Sequence, residues 1–260
     1  MVADVHGAGP PVVLLHGQPG SAADWASVTP GLEAKFTVMI PDRPGYGRTG
    51  GRAQGFRANA AAVVGLLDRL NVGRATIVGH SWSGAVAIAM AEDTPDRVAG
   101  LVLVASVGPL ESLGPLDRAL AIPPIGSAVA AVTLNVAGRA LSFSPVRQLL
   151  ERRLRGATDD ALVAMTNAWR QGDVWRSFVI EQRALVDELH KLAPGLSRIA
   201  APTAVLVGEA DHIVPADTGA RLAAAIPNAH LIRLHGAGHL LPHEQPDAIV
   251  GAINEVAAAP

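Results

Sequence analysis

Six short apolar runs do most to limit how this chain of 260 residues can fold. They are Val12–Leu15, Phe36–Ile40, Ala75–Gly79, Leu101–Val104, Ala204–Val207 and Leu231–Leu234. Each is too short for a stable helix, and none alternates strictly between apolar and polar residues. That pattern fits strands buried on both faces. Helical patterns lie between the runs. Asn59–Leu70 sets Val63, Leu66, Leu67 and Leu70 on one stripe, Ser83–Glu92 is rich in alanine, and Ala248–Ala257 closes the chain. Strands alternating with helices predict an α/β fold with a mostly parallel sheet covered on both sides.

The interval 107–196 breaks this rhythm. It has no buried strand pattern and reads as several helices separated by Pro123-Pro124, Pro145, Gly156 and Gly172. A helical insertion between strands is expected to form a cap or lid (107–196) on a core made of 1–106 and 197–260. Hydrophobic residues are 49% of the chain, and charged residues only 17%, below the ~25% of ordinary soluble domains. The shortfall points to apolar surface spent on lining a pocket. The net charge of −2 and the absence of a basic run argue against nucleic acid or an anionic membrane as partner. From Ala119 to Gly138 no residue is charged, but Pro123-Pro124 break the segment and Ser127, Thr133 and Asn135 interrupt it. The favoured reading is apolar cap helices over a pocket, ahead of a membrane-surface contact. There is no cysteine, which excludes disulfides, thiolate zinc sites and a cysteine nucleophile. Met1–Gly7 lacks a basic stretch followed by an apolar run, so a cytoplasmic location is expected.

One segment carries chemistry. In Ala75 through Gly84 a strand runs directly into a helix, with Gly79-His80-Ser81-Trp82-Ser83 at the turn. A serine at a sharp strand-to-helix turn is a nucleophile elbow, and the small residues beside it let the two backbones approach closely. Ser83 stands where the motif has glycine and is itself flanked by small residues; Ser81 is preferred because it sits at the strand's end. A serine hydroxyl needs a base. His239 lies in the glycine-containing loop after the last strand, with His235 and His243 as neighbouring competitors. Those three are spaced by four, but Gly236, Gly238 and Pro242 oppose the helix that would make them a metal face, so no metal is expected. Asp211 follows an earlier strand and is the expected acid, with Glu209 as the alternative. An oxyanion hole needs two converging backbone N–H groups. The Trp82 amide is one candidate. The other is the Gln18 amide in His16-Gly17-Gln18-Pro19-Gly20, since proline has no N–H. Asp42, within Pro-Gly surroundings, reads as a turn residue.

Taken in order, these stretches resemble the α/β-hydrolase superfamily, in its serine esterase and lipase-like branch. The resemblance is carried by His16–Gly20, Asp42–Thr49, Gly79–Gly84, Gly208–Pro215 and Gly238–Pro246, and it spans the whole chain. It implies the triad order Ser81, Asp211, His239, a cap between the sixth and seventh family strands, and no cofactor. It also implies an antiparallel strand pair before the His-Gly loop. Only about ten residues precede Val12, so the N-terminal strand region is expected to be shortened.

The related dehalogenases and epoxide hydrolases use an aspartate at the elbow, and the epoxide hydrolases also use cap tyrosines. Here the elbow has Ser81, and the only tyrosine is Tyr46, outside the cap. The expected function is hydrolysis of carboxylic esters with small-to-medium apolar acyl groups through an acyl-enzyme. The alternatives are carbon–carbon bond hydrolysis, with a basic cap residue such as Arg147, Arg152, Arg153 or Arg170, a cofactor-free perhydrolase, and a ligand receptor that does not turn over. Trp169, Trp175 and His212 are candidate pocket residues, with core packing as the competing role for the tryptophans. The expected partner is a small apolar ester, and the sequence leaves the oligomeric state, a homo-oligomer included, open.

Overall fold

The computed structural model describes residues 1–109, 113–153, 159–170 and 174–259. Its sheet has seven strands: β1 (Val2–His6), β2 (Pro11–Leu15), β3 (Thr37–Asp42), β4 (Ala75–His80), β5 (Val98–Val104), β6 (Thr203–Gly208) and β7 (Ala229–Leu234). Their order across the sheet is β1-β3-β2-β4-β5-β6-β7. Six strands are parallel, and β1 alone is antiparallel, pairing Val2 with Asp42 through His6 with Val38. The six expected strands are present, with ends that differ from the apolar runs by at most three residues. The seventh, β1, has no apolar run to reveal it, because it lies half exposed at the sheet edge. Polar contacts hold it instead: the Val2 N–H donates to Thr49 Oγ1 (2.7 Å), and Arg48 pairs with Asp4 (2.7 Å) and Asp42 (3.1 Å). A single antiparallel strand therefore precedes the His-Gly loop.

The strand side chains divide between two cores by their period of two. Val13, Leu15, Ile77, Leu101, Leu103, Val205 and Val207 face α1 (Phe56–Arg69), α2 (Trp82–Asp93) and α8 (Ala216–Ala225). Val12, Leu14, Val78, Val102, Val104 and Leu206 face the C-terminal helix (Pro246–Ala258) with Trp25 and Leu32. β4 and β6 are buried along their whole length, which accounts for runs that do not alternate. Helix α2 is buried on every side from Trp82 to Ala91, so its alanine content lets sheet and neighbouring helices approach.

Between β5 and β6 the chain forms α3 (Pro115–Ala121), α4 (Pro123–Ala140), α5 (Ser144–Arg153), α6 (Asp159–Trp169) and α7 (Val174–Glu188), then a 3-10 stretch over Leu189–Arg198. Pro123 and Pro124 open α4, where a missing N–H costs nothing. Among the described residues no single helix is long and apolar enough to cross a membrane. Pro124–Ala140 and Ser144–Glu151 reach that length and composition only as a pair bent by 96°. Parallel strands place all their carboxyl ends on one edge of the sheet, and the loops that follow β2, β4, β6 and β7 meet there.

Candidate active site

Ser81 stands between β4 and α2 with φ 53° and ψ −119°. This left-handed backbone is costly for a residue with a side chain, on the order of 1–3 kcal/mol, and persists only where surroundings enforce it. Here the Ser81 N–H donates to the Val104 carbonyl (2.9 Å), and the Ser81 carbonyl accepts from Gly84 (3.0 Å) and Val107 (3.2 Å). Close approach explains two glycines. A Cβ on Gly79 would meet the Ser83 carbonyl oxygen at 2.4 Å, and one on Gly84 would meet Ser106 Oγ at 1.7 Å. Ser83 is fully buried, and its hydroxyl donates to the His16 carbonyl. The residue that departs from the elbow motif thus ties α2 to the His16–Gly20 loop, while Ser81 Oγ faces the cavity.

The structure brings Ser81, His239 and Asp211 together. His239 Nε2 lies 2.9 Å from Ser81 Oγ, and its Nδ1 lies 2.7 Å from Asp211 Oδ2. Asp211 Oδ1 accepts the N–H groups of Ile213 (2.7 Å) and Val214 (2.9 Å), so both carboxylate oxygens are occupied. Glu209, the alternative acid, instead faces the fully exposed ring of His235 at 3.0 Å. Two further residues fix the histidine loop. Glu244 accepts from the Gly238 N–H (2.6 Å) and the Leu240 N–H (3.0 Å) on either side of His239. His80 Nε2 lies 3.0 Å from the His239 carbonyl, which can only accept, so the His80 proton is on Nε2. Burial, then the neighbouring His239, lowers the His80 pKa to about 3, so its ring is neutral and cannot compete as base.

Beside the elbow, Arg43 is completely buried after β3. Its Nε donates to the His16 carbonyl (3.0 Å), and Nη2 donates to the Gly17 carbonyl (2.8 Å). Nη1 and Nη2 pair with Glu181 of α7, which also accepts the Tyr46 hydroxyl at 2.7 Å. The guanidinium lies over the rings of Trp82 (4.6 Å) and Tyr46 (4.9 Å). Burial works against the Arg43 charge, but Glu181 and Tyr46 more than offset it, and the pKa lies above the ordinary guanidinium value. The Trp82 indole N–H donates to the Glu181 carbonyl (3.2 Å), and Gln18 Nε2 donates to the Phe178 carbonyl (2.8 Å). Both candidate oxyanion donors therefore sit on residues tied to α7. Among the described residues neither the Gln18 nor the Trp82 amide donates to a loop carbonyl, which leaves both available to the cavity.

That cavity, of about 450 Å³, opens onto Ser81 and His239. Its apolar wall includes Val107, Leu120, Met165, Trp169, Phe178 and Leu185, and its polar groups include Gln18, Asp24, Asp117 and Gln182. Trp169 lines it as expected. Trp175 does not: its ring packs with Tyr46, Leu134 and Val174, under the Arg176 guanidinium at 5.1 Å. His212 is exposed, and the cavity takes Ile213 and Val214 from that loop in its place. Arg147 is engaged by Asp159 and the Leu141 carbonyl, and Arg170 by Ser142; neither lines the cavity. The side chains of Arg152 and Arg153 lie outside the described residues. Asp24 had no assigned role. Its Oδ2 accepts the Ser21 N–H (3.3 Å), and burial raises its pKa to about 7. Among the described residues no group of three or more His, Asp or Glu is placed to hold a metal.

Residues 12–252 match the profile of the Alpha/beta hydrolase family. The chain is 31% identical over 251 residues to a 2-hydroxy-6-oxononadienedioate/2-hydroxy-6-oxononatrienedioate hydrolase of Cupriavidus pinatubonensis, covering 91% of this chain and 83% of that one. It is also 31% identical over 261 residues to the Magnesium-chelatase 30 kDa subunit of Rhodobacter capsulatus, covering 94% and 86%. A solved esterase structure from Thermogutta terrifontis, 25% identical, superposes with a TM-score of 0.79 over 98% of this chain and 91% of that one.

Two outcomes are expected. Arg43→Met leaves Glu181 buried without its cation and should lower the unfolding free energy by about 3–5 kcal/mol in urea titrations. A loss below about 1 kcal/mol would mean that the pair is energetically idle. Asp24 keeps its proton in the folded protein up to about pH 7, well above the ordinary aspartate value of 3.8. The folded state thus binds more protons than the unfolded chain in that window, and stability falls as pH rises through it. Asp24→Asn removes this loss. Its melting temperature relative to wild type should be higher at about pH 8 than at about pH 5, by a few °C; the opposite sign would contradict the assignment.

Proposed function

The chain belongs to the alpha/beta hydrolase family, and we propose that it is a serine hydrolase cleaving neutral carboxylic esters with small-to-medium apolar acyl groups. The observation that carries the reading is the cavity itself: Ser81 faces it with His239 at 2.9 Å, its wall is largely apolar, and no lysine or arginine lines it among the described residues. Asp24 and Asp117 line it instead. An uncharged ester meets no penalty there, whereas a carboxylate substrate would be desolvated beside the Asp117 carboxylate without a cation.

The chemistry follows from the geometry. Ser81 Oγ adds to the ester carbonyl carbon as its proton passes to His239 Nε2. The carbonyl oxygen takes up the negative charge and accepts from the Gln18 and Trp82 amides. The carbon–oxygen bond to the alcohol then breaks, and His239 returns the proton to that oxygen. Water attacks the acyl-enzyme, gives its proton to His239, and releases the acid as the proton goes back to Ser81. Asp211 stays ionised throughout and stabilises the imidazolium through Nδ1. His80 and Glu244 hold the His239 loop.

A second reading, carbon–carbon bond hydrolysis on the same triad, is favoured by the 31% identical Cupriavidus relative, whose name gives a dioate substrate. The lack of a lysine or arginine in the lining, among the described residues, counts against it for this chain.

Hydrolysis of p-nitrophenyl esters from acetate to long-chain acyl groups tests the proposal. Wild type should show an optimum among short to medium chains, and Ser81→Ala should lose about 10⁴–10⁶ in kcat. Equal rates in Ser81→Ala would refute the nucleophile. No ester hydrolysis by wild type, together with cleavage of a 2-hydroxy-6-oxo-dienoate, would establish the second reading.

A further inference from the structure

Eight of the twelve exposed large hydrophobic side chains among the described residues fall between Leu116 and Leu149. Scattered exposed apolar residues are ordinary, but a cluster on one element marks a contact surface. Five of the eight, Ile122 at the N-cap of α4 and Ile125, Val129, Val132 and Val136 within it, recur at intervals of three and four. The opposite side of that helix, Gly126, Ala130, Leu134 and Gly138, is buried in the cap. A helix on the surface of a protein in water presents charged residues outward. The outer side of α4 carries no charge before Arg139, its exposed polar residues being Thr133 and Asn135, and Val132 and Val136 are 63% and 58% exposed.

Charge decides what covers the stripe. No residue from Ala119 to Gly138 is charged, and two exposed arginines, Arg118 and Arg139, bracket it. Among the described residues neither forms a salt bridge. The neighbouring acid, Asp117, is already taken by the Gly114 N–H (3.0 Å) and Gln182 (3.2 Å). A second copy of the chain fits poorly. Two-fold pairing of the stripes brings Arg139 against either Arg118 or Arg139 of the other copy, with no acid on the stripe to compensate. An anionic phospholipid surface satisfies both features: the headgroups meet the arginines, and the valines and isoleucines enter the headgroup–acyl boundary. We propose that the outer face of α4, with its flanking arginines, docks on an anionic lipid surface. The charge balance of the whole chain argues the other way, but it averages over surfaces that do not touch the lipid. Leu120 of α3, in the helix before the stripe, lines the cavity, so the docked face lies beside the cavity wall. The inference concerns this surface alone and stands whichever bond the site cleaves.

Flotation through a density gradient tests it, because aggregated protein sinks and cannot imitate binding. The probes are vesicles of equal parts phosphatidylglycerol and phosphatidylcholine, and vesicles of phosphatidylcholine alone. Wild type should float with the anionic vesicles and far less with the neutral ones. Val132→Glu/Val136→Glu should reduce the floated fraction at least several-fold with its melting temperature unchanged, and Arg139→Glu should do so in part. Absence of flotation by wild type, or equal flotation by the double variant, overturns the proposal. It is also overturned if wild type does not float but light scattering finds a dimer that the double variant dissociates; the stripe is then an interface between copies.

Discussion

One buried guanidinium connects the parts of this site that would otherwise be independent. Arg43 follows β3, bonds the His16 and Gly17 carbonyls after β2, lies over Trp82 at the start of α2, and pairs with Glu181 in α7. Removing both charges from water is expensive, and their attraction offsets that cost only where the remaining donors and acceptors are satisfied. Here they are: Arg43 has two carbonyls besides the carboxylate, and Glu181 has the Tyr46 hydroxyl besides the guanidinium. The result is positional. The Gly17 carbonyl belongs to the peptide whose N–H is that of Gln18, so Arg43 holds one candidate oxyanion donor directly. It holds the other by stacking on Trp82. The α7 contact makes the helical segment between β5 and β6 part of the same unit.

The Ser81, His239 and Asp211 side chains are held by the same logic on a smaller scale. Ser81 occupies a backbone conformation that it would not adopt alone, enforced by three backbone hydrogen bonds and by the lack of a Cβ at Gly79 and Gly84. His239 lies on a loop, yet Glu244 bonds the amides on both sides of it and His80 bonds its carbonyl. Asp211 is fixed by two amides of its own turn. Each of the three is thus oriented by a partner outside the trio, and nucleophilic catalysis by any such site requires that narrow a geometry.

What was legible in the sequence is what rests on local pattern. The six buried strands show as apolar runs because both their faces are covered, and the elbow shows because close backbone approach demands small residues at fixed spacing. β1 was illegible for the converse reason: its contacts are polar and come from Arg48 and Thr49, far along the chain. Arg43, Glu181 and Asp24 were missed because nothing local distinguishes a buried charge from a solvated one; Glu181 meets Arg43 across 138 positions. Glu244 stood within a matched motif, but its role depends on where the loop folds back. Trp175 and His212 failed as pocket residues because residue type does not determine the side of a helix or loop that faces the cavity.

The central claim is that Ser81, and no other serine, is the activated nucleophile. The most direct measurement is covalent labelling by diethyl p-nitrophenyl phosphate, followed by intact mass and peptide mapping. The triad geometry predicts one diethylphosphoryl group per chain, located on Ser81 and absent from Ser81→Ala. An unlabelled wild type, or a label on Ser83 that persists in Ser81→Ala, would contradict it.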